Sequence, residues 1–386
     1  MLVTDGHLRP SLAIVRSLGR AGYLVYVCAP ARKSLAGASR YAVDQAEVPD
    51  PLSQPQAFAD AVVALTGRWH VQVLIPVSEE ALLVLLPAAA RMPDVCVPFP
   101  PLETFRKASD KGHVTALAAT LGLAVPEQVV MRDRAGARDL PVERLRFPVV
   151  LKPARSVGGE GADRVKHGVS YANDRTEYDR LVTALPASAF PLLVQQRIDG
   201  PGTGVFLLVW RDEVIARFAH RRIREKPPSG GVSVCAESIA ADPVTVEQSR
   251  ALLAALHWSG PAMVEYKEDQ VTGRRYLMEI NGRFWGSLQL AVDAGVDFPT
   301  LLVSAALGNR PVPVTQYALG VRGRWWWGEV DHLLARLRGA SAPGVGGRAN
   351  AVRAFLRPGP GIRNEVLRAD DPWPFVRETI EWLHGR

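Results

Sequence analysis

Two apolar runs, 262–267 (AMVEYK) and 276–280 (YLMEI), flank a short polar stretch, DQVTGR, that contains Gly273. This is the pattern of a β-hairpin, and it limits the fold more than any other part of the chain. Folded about Thr272, it sets Glu265 directly opposite Glu279, with Asn281 two residues further along the same face. Opposed side chains have Cβ atoms about 5 Å apart, so two carboxylates there repel unless something positive lies between them. Two carboxylates plus an amide oxygen are a hard-oxygen set, suited to Mg²⁺ or Mn²⁺ and not to zinc. A solvent-facing acidic pair on an edge hairpin is the plain alternative, and the otherwise apolar strands argue against it. A bulge at the turn would shift the register by one residue and weaken the pairing.

Upstream lies VVLKPARSVGGEGADRV. Lys152 ends an apolar strand, and the stretch from Ser156 through Gly158 and Gly159 to Gly161 is a glycine-rich loop. Glycine lets backbone N–H groups approach phosphates, and a nearby lysine adds a mobile charge. No Gly-Lys-Ser/Thr ending follows, so this is not a Walker loop. Lys111 opens the preceding helix, where its ammonium meets a positive helix end, an unfavourable place unless an anion is present. The strand ARFAHRRIRE puts His220 and Arg222 on one face, Arg221 and Ile223 on the other. The segment KPPSGG after it has lid-like flexibility. In NGRFWG, Arg283 falls two residues past Asn281, where a guanidinium suits a transferring phosphoryl group.

The opening reads β-α-β. A short apolar run at 1–4 ends in Asp5-Gly6, and 10–19 repeats apolar residues at helical spacing, with Pro10 fit for a first turn. A strand at 23–28, a helix at 55–65, a strand at 71–76 and a helix at 79–90 continue the alternation. These predict a small parallel sheet with helices on both faces up to about residue 105. The first turn, VTDGHLRPS, lacks Gly-x-Gly-x-x-Gly, which argues against a nicotinamide cofactor. From Lys107 the pattern becomes α+β with mainly antiparallel sheet. It has helices at 110–121 and 175–185, the latter with a capping box of Asp174 and Glu177. Strands are expected at 147–152, 192–196, 205–210 and 214–220. Past residue 308 come a basic tail with Trp325-Trp326-Trp327, Gly/Pro-rich joints at 342–347 and 358–361, and a helix at 374–383. The tryptophans read as packing residues, and His7 to Pro10 as a plain helix start.

The net charge of +7 invites a nucleic-acid reading, but the basic residues are scattered, with no five-residue basic run and no nucleic-acid-binding motif. A polyanionic small molecule such as a nucleotide suits the surplus, and so does a solvated surface. Only seven of the 46 basic residues are lysines, so Lys111 and Lys152 mark places where a compact charge is favoured over a planar fork. The longest apolar stretch, 81–90, is about half a bilayer span, and Asp5, His7 and Arg9 argue against a secretory signal. A cytoplasmic chain is expected, with no membrane or nucleic-acid partner. Cys28, Cys96 and Cys235, odd in number and dispersed, read as buried apolar residues.

Taken in order, Lys111, Lys152, the SxGGxG loop, a strand ending VQQRIDG, Glu265 and EINGR at 279–283 resemble the ATP-grasp superfamily. Its members include biotin carboxylase, carbamoyl-phosphate synthase large subunits and D-alanine–D-alanine ligases. The resemblance implies a Rossmann-like pre-ATP-grasp domain at 1–106, a small lobe at 107–190, a large lobe at 191–308 and a C-terminal extension at 309–386. It implies that Lys111, Lys152 and the Ser156–Gly161 loop hold ATP phosphates, and that Gln195, Gln196 and Ile198 meet adenine. Glu265, Glu279 and Asn281 would hold Mg²⁺ or Mn²⁺, and Arg283 with Arg221 or Arg222 would serve the reacting centre. Members commonly carry glutamate where this chain has Gln195 or Gln196, though a glutamine carbonyl accepts the same hydrogen bond. The implied activity is ligation of a carboxylate to an amine, or to a thiol, through an acyl phosphate. Alternatives are a bicarbonate-using enzyme, disfavoured by the missing biotin-carrier motif and second ATP-grasp copy, and a non-catalytic ATP-binding protein. A homodimer is common for such folds.

Overall fold

Helix Arg9–Arg20 organises the N-terminal part of the chain, because it is buried along almost its whole length. In the computed structural model, which describes residues 1–137, 146–159, 161–228, 230–339, 347–356, 359 and 361–385, this helix follows the first strand of a four-stranded sheet. Across the sheet the strands run Ala42–Glu47, Val25–Ala29, Leu2–Val3, Leu74–Ile75, all parallel. The expected parallel sheet is therefore present. Its edge strand Ala42–Glu47, polar and half exposed, carries no apolar pattern and was not legible in the sequence. On one face, helices Pro55–Arg68 and Glu79–Ala88 bury Phe58, Val62, Ala81 and Leu85 against Leu2 and Leu74. On the other, Leu12, Val15 and Leu18 join a core that runs on into the second half of the chain.

A four-stranded antiparallel sheet follows, in the order Gln128–Met131, Leu192–Gln196, Val149–Pro153, Ser170–Ala172. Leu151, Leu192 and Val194 bury one face against Tyr178 and Val182 of helix Arg175–Ala184. Asp174 caps that helix as expected by accepting from the Glu177 N–H, whereas the Glu177 carboxylate takes the N–H of Asn173 and not of Asp174. Alternation leaves Val150, Lys152, Leu193 and Gln195 on the opposite face. Leu192–Gln196 belongs to this sheet, so the crossing to the next one lies after Gln196 and not at 190/191.

The third sheet has seven strands: Arg275–Asn281, Gly260–Glu268, Gly202–Trp210, Glu213–Lys226, Val232–Ser238, Arg322–Arg324 and Ile362–Asn364. All neighbours are antiparallel except the last pair. Phe206, Phe218, Trp285 and Phe298 pack its inner face, where helices Leu288–Asp293 and Phe298–Ala306 meet Arg9–Arg20. The stretch after residue 309 supplies two strands of this sheet instead of standing apart. Its tryptophans are packing residues: Trp327 stacks on Trp382 at 4.0 Å, and Trp326 lies against Phe355. Most of the joint at 342–347, part of that at 358–361, Glu160 of the glycine loop and Ser229 of KPPSGG lie outside the described residues. Cys28 and Cys235 are buried free thiols and Cys96 is half-buried. Among the described residues no helix is long and apolar enough to cross a membrane.

The C-terminal segment ties the first sheet to the last. Arg16, 1% exposed, donates to Asp371 and to the carbonyls of Glu365, Val366 and Asp371. Asp371 also accepts from Ser39 and from the N–H of Arg40.

Candidate functional site

The hairpin forms between Gly260–Glu268 and Arg275–Asn281, and Glu265 faces Glu279 as the sequence predicts. Two offsets cancel to produce this. At the turn end Glu268 faces Arg275, one residue out of the expected register, and a bulge at Met278 restores it before Glu279 is reached. Asp269 closes the turn by accepting from the N–H groups of Val271 and Thr272, and Gly273 adopts φ +67°, a left-handed conformation that glycine takes without strain.

Cations surround the two carboxylates. Arg222 reaches Glu265 at 2.5 Å and Glu225 at 2.9 Å, and Lys111 lies 3.4 Å from Glu279. The like-charge clash predicted for the pair is relieved in this way, and Glu279 is an anion beside Lys111. Burial and the neighbouring Glu279 push the Glu265 carboxyl above its usual range, against the pull of Arg222. Burial acts on Glu279 in the same sense, but Lys111, Lys152 and the Asn281 amide outweigh it and hold its carboxyl down at about 2. Asn281 donates to Glu279 through Nδ2 at 3.1 Å, which leaves its amide oxygen for another partner. Among the described residues no group of three or more His, Cys, Asp or Glu side chains is placed to hold a metal ion.

The remaining expected residues converge from the second sheet. Lys111 is the first residue of helix Lys111–Thr120, and its Nζ also donates to Ser156 at 3.0 Å. Lys152 sits on the inward face of its strand, and its hydrogen-bond partner is Met278 Sδ at 3.7 Å, on the bulge. Burial lowers its pKa, opposed by Glu279 and Glu265. Val157–Gly158 pairs with Val165–Lys166, so the glycine loop is a small hairpin, and Lys166 at its base reaches Glu80 of the first domain at 2.7 Å. Gly159 (φ +82°) has no room for a side chain, since a Cβ there would lie 2.3 Å from the Asp163 carbonyl. Gly161 has φ +57°. Gln195 donates to Gln128 at 2.6 Å, and Gln128 to Thr115 at 2.7 Å. The N–H of Gln196 is taken by Glu127, and Ile198 is buried just past the strand end.

Arg221 and Arg222 diverge. Arg221 pairs with Glu237 on the opposite face of the sheet, half exposed, so of the two only Arg222 belongs to the site. Arg283 lines a cavity of about 10 Å³ with Lys111, Ser156, Glu279 and Asn281, room for about one water. Glu79 lines the same cavity, and sequence reasoning missed it. Burial raises its pKa against the pull of Lys111 and Arg283. The signal was available: Glu79 stands just beyond the C-terminal end of a parallel strand, where open α/β sheets place ligands.

Comparison with known proteins shows what the fold is similar to. Residues 188–326 match the family described as ATP-grasp in the biosynthetic pathway with Ter operon. The L-amino acid ligase from Bacillus licheniformis superposes with TM-score 0.62 at 21% identity, over 80% of this chain and 74% of that one. The chain has the ATP-grasp fold. N5-carboxyaminoimidazole synthetase from Staphylococcus aureus, solved with ADP, gives 0.62 at 15% over 83% and 80%. Biotin carboxylase from Campylobacter jejuni gives 0.61 at 15% over 83% and 74%. No curated protein matches the sequence. The matched ATP-grasp span contains Glu265, Glu279, Asn281, Arg283, Arg222 and the 195–198 segment, while Lys111, Lys152, Glu79 and the glycine loop precede it.

Proposed function

We propose that the chain is an ATP-dependent carboxylate–amine ligase working through an acyl phosphate. The observation that carries this reading is the direct pairing of Glu265 and Glu279 beside Asn281, under Lys111, Lys152, Arg222 and Arg283. In this set cations face a carboxylate pair. It is built to gather phosphates and neutralise charge, which is what phosphoryl transfer asks of a protein. The donors Glu265, Glu279 and Asn281 fit Mg²⁺ or Mn²⁺, and the cation when bound supplies charge neutralisation at the β- and γ-phosphates.

Lys111, Lys152 and the N–H groups of the Ser156–Gly161 loop hold the phosphates. Adenine lies by Gln195, Gln196 and Ile198; with its Nε2 given to Gln128, Gln195 offers its carbonyl as the acceptor. The substrate carboxylate oxygen attacks the γ-phosphorus, the bond to the β-phosphate oxygen breaks, and ADP leaves. Arg283 and Arg222 stabilise the charge that spreads over the transferring group. The amine then attacks the acyl carbon and phosphate departs. Glu79, which lines the same cavity as Arg283, receives the hydrogen bonds of the incoming amine. Closure of the glycine loop, whose partner strand is tied to Glu80 through Lys166, keeps water from the acyl phosphate.

The test is a screen of paired acids and amines read by ADP and phosphate release. A productive pair gives stoichiometric amide, and Glu279→Gln lowers turnover by about 100-fold or more. Unchanged turnover in Glu279→Gln would remove the phosphate-gathering role of the pair. ADP release independent of any carboxylate would point to a protein that only binds or hydrolyses ATP.

A further inference from the structure

The last helix, Trp373–His384, is apolar on two sides. Its inner side is already used. Trp382 stacks on Trp327 at 4.0 Å, Phe375 lies against the same ring, and Glu378 accepts from Trp325 at 2.7 Å. Its outer side carries Trp373, Val376, Ile380 and Leu383, which are 64%, 42%, 43% and 61% exposed. These positions follow one another at helical spacing and form a single stripe. A surface helix needs one apolar face to hold it to its own domain. A second, with a tryptophan at its head, marks a contact with something else.

The charges beside the stripe say what that is. Arg377 and Glu381 flank it on one side, 30% and 41% exposed, with opposite signs one turn apart. Two copies of this helix laid antiparallel, with a two-fold axis near Ile380, bring Ile380 against its own equivalent and Val376 against Leu383. The same operation sets Arg377 opposite the Glu381 of the other copy, and the reverse, on the same flank. The surface is thus complementary to itself in both apolar pattern and charge, as a two-fold interface requires. We infer that this helix pairs with the same helix of a second copy of the chain, giving a dimer through the C-terminal region.

The experiment is light scattering of the full chain during size-exclusion chromatography. The wild type runs at twice its 42.0 kDa monomer mass. Ile380→Glu runs as a monomer that keeps the wild-type circular dichroism spectrum and a single cooperative melt, because the replaced side chain is exposed. Arg377→Glu alone and Glu381→Arg alone each weaken the dimer, since like charges then face one another across it. An equimolar mixture of these two variants restores it, because every facing pair is again of opposite sign. An intrahelical ion pair cannot be repaired by mixing, so this rescue isolates the contact between copies. A monomeric wild type, or an Ile380→Glu variant that stays dimeric, overturns the inference. So does a monomer that instead co-sediments with anionic phospholipid vesicles in a stripe-dependent manner.

Discussion

Replacing Arg16 by methionine tests how helix Arg9–Arg20 is held to the C-terminal segment. Arg16 and Asp371 are 1% and 0% exposed at their side chains, 2.8 Å apart. The guanidinium spends three further hydrogen bonds on the carbonyls of Glu365, Val366 and Asp371. Methionine keeps the apolar volume of the stem and leaves those carbonyls, and above all the Asp371 carboxylate, without their cation. Ser39 and the Arg40 N–H still reach Asp371, but neither carries a charge that cancels it. Breaking one partner out of a buried pair costs about 3–5 kcal/mol. A melting-temperature loss of about 2–4 °C per kcal/mol makes that roughly 10 °C. Adding Asp371→Leu recovers part of the loss, because the stranded charge goes with it. Thermal unfolding followed by circular dichroism, with urea titration alongside, measures both. An Arg16→Met variant that melts with the wild type, or a double variant less stable than the single one, refutes the reasoning.

Two further predictions concern buried titratable groups. Glu79→Gln leaves carboxylate-dependent ADP release in place while slowing amide formation at least tenfold. The acyl phosphate trapped by added hydroxylamine measures the first step by itself, and equal loss in both steps would assign Glu79 to ATP handling instead. His220, fully buried between Ser287 and the Phe206 ring, has its pKa pushed down to about 3 by burial, with Arg222 acting in the same sense. The unfolded chain takes up that proton below about 6.5 and the native chain does not, so stability falls as pH drops from 6.5 towards 3, by up to about 1.4 kcal/mol per pH unit. His220→Asn flattens this part of the stability–pH curve, and an unchanged slope in urea titrations across the window would show the proton is taken up elsewhere.

Much of the fold was legible because it is written in short periods. The β-α-β opening, helices Lys111–Thr120 and Arg175–Ala184, and the strand Leu192–Gln196 follow from apolar spacing, caps and glycine stops within a dozen residues. Strands Ala42–Glu47, Arg322–Arg324 and Ile362–Asn364 were not, since they are short or polar and exist only because a neighbouring strand offers its edge. In the candidate site, strand alternation put Arg221 and Arg222 on opposite faces. Which of them meets the carboxylates depended on where Glu265 lies in the same sheet.

By itself the sequence determined that two carboxylates share one face of a hairpin, that two lysines and a glycine loop precede them, and that the chain opens on a parallel sheet. Side-chain alternation and turn chemistry are local and survive in any packing of the elements. Tertiary structure alone decided that Lys111 lies against Glu279, that Glu79 reaches the same cavity, that a bulge at Met278 rescues the register, and that Asp371 holds Arg16. These contacts join residues up to 355 positions apart or depend on a single unpaired residue inside a strand. Their geometry is set by how the sheets and helices pack, which no local pattern records.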